Sequence, residues 1–174
     1  MSEMPIVVVP HVALGGKAQE IKNIDERILS LAQNMADTMY KAPGLGLAAN
    51  QIGELVKLIV VDLEYAYSDL KDKRKNPLYI INPQICQSEG EAVREEGCLS
   101  VPDFGIEITR ADAVEVKGVD LNGKQIKIAA EGLLARVLQH EIDHLNGTTI
   151  LDHASSLKRT LYNRKIRKKG RRHK

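Results

Sequence analysis

The chain has 174 residues, 43% of them hydrophobic and 28% charged, which is typical of a globular protein with one core large enough to fold unaided. Two cysteines are too few for a disulfide framework, and no stretch approaches the roughly 18–20 apolar residues of a membrane span. The N-terminus lacks a basic region ahead of an apolar run, so we predict no signal or transit peptide and expect a cytoplasmic protein.

The charge is distributed unevenly along the chain. Residues 158–174 carry ten Lys and Arg side chains and no acid, whereas the other 157 residues hold 15 basic and 23 acidic side chains, a net charge of −8. A basic tail on an acidic body favours an anionic partner, nucleic acid being the obvious one, recognised without regard to sequence. A solvated, frayed terminus fits the same pattern.

An apolar stripe near the N-terminus predicts the first helix. Its members recur at spacings of three and four: Ile24, Ile28, Leu31, Met35 and Met39. Asp25 and Glu26 suit the first turn, and Pro43 with Gly44 ends the helix. We expect the methionines to pack in the core rather than to form a binding face.

Short apolar or alternating segments then predict strands at residues 56–61, 78–81, 106–110, 113–117 and 125–128. Residues 64–77 read as an exposed loop. Asn122-Gly123 predicts a tight turn that makes residues 125–128 a hairpin partner.

Two helices are predicted to follow the strands. One runs from about residue 131 to 146 and is closed by Gly147. The last begins at Ser155 or Ser156 and continues into the basic tail. Strands in the middle and helices at the ends predict an α+β fold with a mainly antiparallel sheet.

The clearest chemical motif is His140-Glu-Ile-Asp-His144, inside a predicted helix. Residues four apart project from one face, so both imidazoles can reach one metal ion while Glu141 stays off the metal and handles protons. A helix with chance His and Glu residues is the structural alternative.

The third metal ligand decides the class of site. In metalloproteases with this helix the ligand is a later His or Glu. Here the position three beyond Gly147 is Ile150, and Glu141 is the last glutamate in the chain, so both solutions are absent. Asp152 or His153 remain possible downstream.

The upstream candidate is Cys98, in Glu95-Glu-Gly-Cys-Leu-Ser100, which we interpret as a loop residue. Cys86 follows an apolar stretch, and we interpret it as a buried, inert thiol. A second interpretation makes Cys98 a nucleophile activated by His140, a thiol hydrolase. It leaves His144 unexplained.

Residues 44–53 form a glycine-rich segment. Gly44 and Gly46 permit close approach of the backbone to another surface. The segment lacks the spacing of a phosphate or dinucleotide loop. Gln51 could present a side-chain N–H to an oxyanion, with a tight turn as the alternative interpretation.

Taken together, three segments resemble peptide deformylase. They are Gly44-Leu-Gly-Leu-Ala-Ala-Asn-Gln51, Glu96-Gly-Cys-Leu-Ser100 and Gln139-His-Glu-Ile-Asp-His144. Their order and gaps agree with the family, and the resemblance covers nearly the whole chain. It implies antiparallel sheets around a central motif helix, with helices at both ends. Residues 1–154 would be the catalytic domain, and residues 155–174 a basic C-terminal helix or tail of that same domain.

The resemblance also implies a role for each matching residue. Cys98, His140 and His144 would bind one divalent metal, Fe(II) being expected and Zn, Ni or Co able to substitute, with a water completing a tetrahedral site. Glu141 would be the acid/base, and Gln51 with the Leu99 N–H would stabilise the oxyanion. Residues near or lining the substrate pocket would be Leu45, Gly46, Glu96, Leu133 and Val137.

The implied substrate is an N-formylmethionyl nascent polypeptide, and the implied partner of the basic tail is the ribosome. Another metallo-amidase or peptidase on the same ligands remains an alternative, as does a non-catalytic metal-binding protein.

Overall fold

The structure, a computed structural model, describes residues 3–67 and 75–172. In chain order its elements are α1 (Glu26–Lys41), β1 (Gly46–Ala48), β2 (Leu58–Val61), α2 (Leu63–Tyr67), β3 (Leu78–Glu89), β4 (Ala92–Cys98), β5 (Val101–Arg110), β6 (Ala113–Val119), β7 (Gln125–Glu131), α3 (Gly132–Leu145) and α4 (Ser156–Arg172). Short 3-10 turns cover Val12–Gly15 and Ala49–Ile52.

The strands form two antiparallel sheets. One has five strands in the order β1-β2-β3-β6-β7, and the other pairs β4 with β5. The β6–β7 hairpin turns at Gly123, which has φ +80°, and the Asp120 carboxylate accepts the backbone N–H of Asn122 and Lys124 at 2.9 Å. The predicted α+β class, the antiparallel pairing and the hairpin are confirmed.

Helix α1 begins where the sequence predicts. The Asp25 carboxylate caps it by accepting the backbone N–H of Ile28 at 2.9 Å, which satisfies one unpaired donor of the first turn. Met35 and Met39 are fully buried in a cluster with residues of β1 and β2, which confirms that they pack in the core. Helix α1 thereby supports the strand that carries Gly46.

Helix α3 lies centrally, against β1, β2, β6 and β7. It buries an apolar face that includes Leu138 and Leu145 against Ile59 and Ile80 of the five-stranded sheet. Burying one leucine side chain contributes about 1.5–3 kcal/mol. The two histidines of the motif are therefore presented by a helix that cannot rotate without exposing this face.

Helix α4 is ordered by its own small core. Ser155 caps it by accepting the Lys158 N–H at 3.3 Å, and Tyr162 and Ile166 pack against the β4–β5 sheet. The remaining described side chains of the helix are exposed. The predicted helix is confirmed through Arg172, so the basic segment is not a frayed terminus up to that residue.

Several predictions of local structure are wrong. Residues 92–98 form a strand that the sequence does not reveal, because Arg94, Glu95 and Glu96 break the apolar alternation and the segment is held by pairing with β5. Leu63–Tyr67 is a short helix rather than loop, while residues 68–74 lie outside the described part of the chain. Strand β3 continues well past residue 81, through register shifts at residues 81–84 and 85–87.

In the described part of the chain, no helix is both long enough and apolar enough to cross a membrane.

The turn after α3 requires glycine, and this gives a stability prediction. Gly147 has φ +79°, and a Cβ there would lie 2.6 Å from the backbone oxygen of Gly15. Gly123 has the same left-handed backbone with nothing within 4 Å of its Cβ position. We expect Gly123→Ala to cost about 1 kcal/mol of unfolding free energy, and Gly147→Ala clearly more, because backbone must move. Urea unfolding of both variants measures the difference, and equal costs would contradict it.

Candidate metal and catalytic site

Three ligand-type side chains converge at the edge of α3. The thiol of Cys98 and the imidazoles of His140 and His144 each offer one ligand atom, and these atoms lie within 4.8 Å of one another. The Cys98 Sγ is 3.2 Å from His144 Nε2, and the two imidazole centroids are 4.9 Å apart. One thiolate with two imidazoles is a ligand set for a divalent transition metal, so these residues can hold such an ion.

Cys98 is the last residue of β4 and not a loop residue as predicted. The pairing with β5 shifts register between Gly97 and Cys98, where the strand ends beside α3. The thiol is half-buried. The irregularity at the strand end presents this side chain to the helix.

The other candidate ligands do not join the cluster. Asp152 accepts the Thr149 N–H at 2.8 Å, and His153 Nε2 lies 3.3 Å from an Asp143 oxygen. The prediction that Cys86 is buried is wrong: it is exposed, because the second half of β3 extends beyond the packed layer.

The buried carboxylate of Glu96 orients the His140 imidazole through its Nδ1 atom. One oxygen of Glu96 lies 2.9 Å from His140 Nδ1. The other accepts Arg110 Nε and Arg136 Nη1, each at 2.6 Å. A neutral His140 that donates its Nδ1 proton to Glu96 keeps the lone pair of Nε2 for a metal, the arrangement found around many zinc histidines. The sequence predicts Glu96 only as a residue that lines or supports the pocket.

The charges around Glu96 set its protonation state. Burial raises the pKa of a carboxyl group, but hydrogen bonds from His140 and Arg110 outweigh burial and lower the pKa of Glu96 to about 2. Burial and the positive charges of His140 and Arg110 lower the pKa of His144 well below its usual value. For His140, hydrogen bonds with Cys98 and Glu96 outweigh burial and raise the pKa to about 10, so binding a cation there releases a proton.

Neither arginine is predicted from the sequence as a site residue, although each has a recognisable signal there. Arg110 continues the buried alternation of Ile106 and Ile108 along β5, and its guanidinium also reaches Asp143 at 2.8 Å. Arg136 precedes His140 by four residues and so lies on the same face of α3. Arginine at a buried position usually means a carboxylate partner.

Glu141 is buried beside the backbone of β1. A Cβ at position 46 would lie 2.5 Å from its carboxylate Oε1, so any side chain there would displace this carboxyl group, which confirms the predicted close approach. Its Oε2 has no hydrogen-bond partner among the described residues. Burial raises the pKa of Glu141 to about 7. A carboxyl group with this pKa can take and return a proton near neutral pH.

Gln51 is fixed at one end of its side chain. Its Oε1 accepts the Ala48 N–H at 2.8 Å, and its Nε2 points to the Ser100 hydroxyl at 3.3 Å and the Cys98 thiol at 3.7 Å. The neighbouring Asn50 is completely buried and donates to the backbone carbonyl of His144. This contact, which the sequence did not reveal, ties the turn that carries Gln51 to the end of α3.

One cavity of about 530 Å³, a size that suits a small ligand or a peptide end, is bordered by these groups except His144 and Asn50, which are buried away from its lining. Its lining includes the predicted residues Leu45, Gly46, Gln51, Glu96, Cys98, Leu99, Leu133, Val137, His140 and Glu141, and also Glu95, Asp103 and Phe104. The lining thus joins an apolar wall to the cluster of ligand and proton-transfer groups.

Comparison with known proteins identifies the fold and the family. The sequence profile of polypeptide deformylases matches residues 3–160. The chain belongs to the polypeptide deformylase family. A peptide deformylase of Thermodesulfovibrio yellowstonii is 46% identical over 169 residues, covering 97% of this chain and 99% of that protein. Another, of Syntrophobacter fumaroxidans, is 44% identical, covering 97% and 96%.

Solved structures agree. A peptide deformylase of Legionella pneumophila superposes with a TM-score of 0.87 at 42% identity, covering 99% of this chain and 98% of that one. One of Ehrlichia chaffeensis, in complex with actinonin, gives 0.89 at 39% identity, covering 97% and 98%. The chain is therefore a hydrolase that acts on a formyl amide, in a family of metalloenzymes that act on formylated nascent peptides.

The Glu96 network predicts an unequal effect of two adjacent substitutions. Glu96→Gln removes the counter-charge of two buried arginines, so we expect a loss of about 3–5 kcal/mol of unfolding free energy. Glu95→Gln, one residue away and exposed, should change it by less than about 0.5 kcal/mol. Denaturant unfolding of the two metal-free variants tests this. Similar small losses of unfolding free energy in both would show that the network does not depend on Glu96.

Proposed function

We propose that this chain removes the formyl group from N-formylmethionine at the start of nascent polypeptides, with one divalent ion held by Cys98, His140 and His144. The observation that carries the proposal is the meeting of three ligand atoms, two of them from residues on the cavity lining, Cys98 and His140, where the buried carboxyl of Glu141 also lies. Family membership supports the reaction. Fe(II) is the proposed resident ion, and Zn, Ni or Co can substitute because the ligand set suits each of them.

The chemistry divides between the ion and the protein. When bound, the ion would polarise the formyl carbonyl and make a water acidic near neutral pH. Glu141 takes the proton of the attacking water and delivers it to the leaving amine nitrogen. Water oxygen bonds to the formyl carbon, the carbon–nitrogen bond breaks, and the products are formate and a free amino terminus. A positioned acid/base of this kind contributes about 10²–10⁴-fold in rate.

Two donors are proposed to face the oxygen that becomes negative during attack. One is Gln51 Nε2, whose amide is oriented by the Ala48 N–H. The other is the backbone N–H of Leu99, next to Cys98 on the cavity lining. Removing one such donor typically costs about 3–4 kcal/mol of transition-state stabilisation.

The methionine side chain is proposed to lie against the apolar part of the cavity. Leu45, Leu133 and Val137 supply that surface, and Gly46 brings the backbone of β1 to the cavity next to Glu141. An unbranched thioether fills irregular apolar space well.

The ribosome is proposed as the partner of α4. Arg164, Arg167 and Lys168 are exposed on this helix, and an array of cations on an ordered helix attracts the phosphates of ribosomal RNA. The enzyme would then meet its substrate where nascent chains emerge.

A thiol hydrolase with Cys98 as the nucleophile is the second candidate. The sequence predicts His140 as its base, whereas the imidazole nitrogen that lies 3.2 Å from Cys98 Sγ belongs to His144. The two mechanisms differ in whether turnover requires the metal. Turnover of a formyl peptide that survives complete removal of metal by a chelator would favour the thiol mechanism.

Two variants should distinguish loss of turnover from loss of the metal ion. Glu141→Gln keeps the ligands and should retain one ion while losing at least about 100-fold in kcat. Cys98→Ala should lose the ion itself, whereas Cys86→Ala, at the exposed thiol, should lose neither. Metal analysis and formate release are measured on each protein. Near wild-type turnover by Glu141→Gln would refute the acid/base assignment.

Charge reversal on α4 should separate ribosome binding from catalysis. Truncation of the helix is a poor test because Tyr162 and Ile166 belong to the core. We expect Arg164→Glu, Arg167→Glu and Lys168→Glu together to abolish cosedimentation with ribosomes and to leave hydrolysis of a short formyl peptide unchanged. The matched control exchanges the same three residues without changing their charge: Arg164→Lys, Arg167→Lys and Lys168→Arg. Equal cosedimentation of both triple variants would count against the proposal.

A further inference from the structure

The start of β5 borders the cavity and is held from outside by α4. Tyr162 donates its hydroxyl to the Pro102 carbonyl at 2.9 Å. Its ring meets the Phe104 ring edge-on, with centroids 5.1 Å apart, and Lys165 Nζ lies 3.6 Å from an Asp103 oxygen. Three consecutive residues of the strand are thus contacted by two residues of one helix.

The backbone of this segment adopts an uncommon conformation at Asp103. Asp103 has φ +58°, in the left-handed region that a residue with a side chain occupies at a cost. Such a conformation persists where the surroundings fix it, and the surroundings here include the contacts from α4 as well as the pairing of Val101 and Gly105 with β4. Tyr162 is 4% exposed, whereas its neighbour Leu161 is 55% exposed, so one face of α4 packs against the segment.

The segment lies toward the open side of the cavity. Glu141 is 4% exposed, whereas the Asp103 side chain, also on the lining, is 54% exposed. A peptide whose formyl end reaches Glu141 must leave through the exposed part of the cavity. Asp103 lies in that exposed part, which it shares with Pro43, Glu95 and Gly97.

We propose that Tyr162 is a positioning residue for the substrate: through residues 102–104 it fixes the part of the cavity that receives the peptide beyond its methionine. This rests on the proposed function. It gives α4 a role in substrate binding that is separate from its exposed charges. Because coupling between sites is reciprocal, a peptide bound in the cavity also stabilises the packed helix.

The test compares two substrates on three variants. Formylmethionine amide ends at the methionine, and formyl-Met-Ala-Ala-Ala reaches further. For Tyr162→Ala we expect the KM of the tetrapeptide to rise about two- to tenfold, the factor that corresponds to the loss of one aromatic pair. The kcat, the metal content and the KM of the amide should be unchanged. Tyr162→Phe keeps the ring, so its KM for the tetrapeptide should be close to that of wild type. Leu161→Ala should match wild type on both substrates.

The outcomes are distinguishable. Equal KM changes on both substrates, or losses of kcat and metal content together, would mean that Tyr162 only stabilises the fold and would overturn the inference. If wild type cleaves both substrates and no variant differs, the inference alone fails. If wild type releases formate from neither, the proposed function fails.

A second measurement needs no variant. Amide hydrogen exchange of residues 156–166 is followed in wild type with and without saturating Met-Ala-Ala-Ala, the reaction product. Slower exchange with the peptide supports the coupling, and unchanged exchange contradicts it.

Discussion

The buried pairing of Glu96 with two arginines is the interaction on which the site depends. It joins β4 and β5, the two strands of the smaller sheet, to α3, which packs on the five-stranded sheet. Buried charges are costly unless each is paired and hydrogen-bonded, and here Arg110, Arg136 and His140 together satisfy the carboxylate. The network therefore fixes the strand that ends at Cys98 against the helix that carries the histidines. The ligand geometry depends on this set of contacts together with the packed apolar face of α3.

Two buried carboxylates only a few residues from the same ligands have opposite properties. Glu96 receives charged donors and its pKa falls to about 2, so it remains an anion that orients His140. Glu141 lies against the bare backbone of Gly46, and burial raises its pKa to about 7. Environments that push two pKa values apart assign two roles, one structural and one in proton transfer.

The sequence predicts those features that depend on local periodicity or on short motifs. Helices α1 and α3 follow from apolar spacing, and the close approach at Gly46 follows from residue size. Features that depend on distant partners are not predictable in this way. Strand β4 owes its form to pairing with β5, and the burial of Arg110 depends on a carboxylate fourteen residues away in sequence. The exposure of Cys86 depends on where the covering layer of the sheet ends.

The most direct measurement is metal analysis of the protein purified without oxygen, coupled to formate release from a formylmethionyl peptide. The proposed mechanism predicts one divalent ion per chain, formate release in proportion to that ion, and loss and recovery of both when the ion is removed and restored. Formate release at full rate from metal-free protein, or a fully loaded protein that releases none, would contradict it.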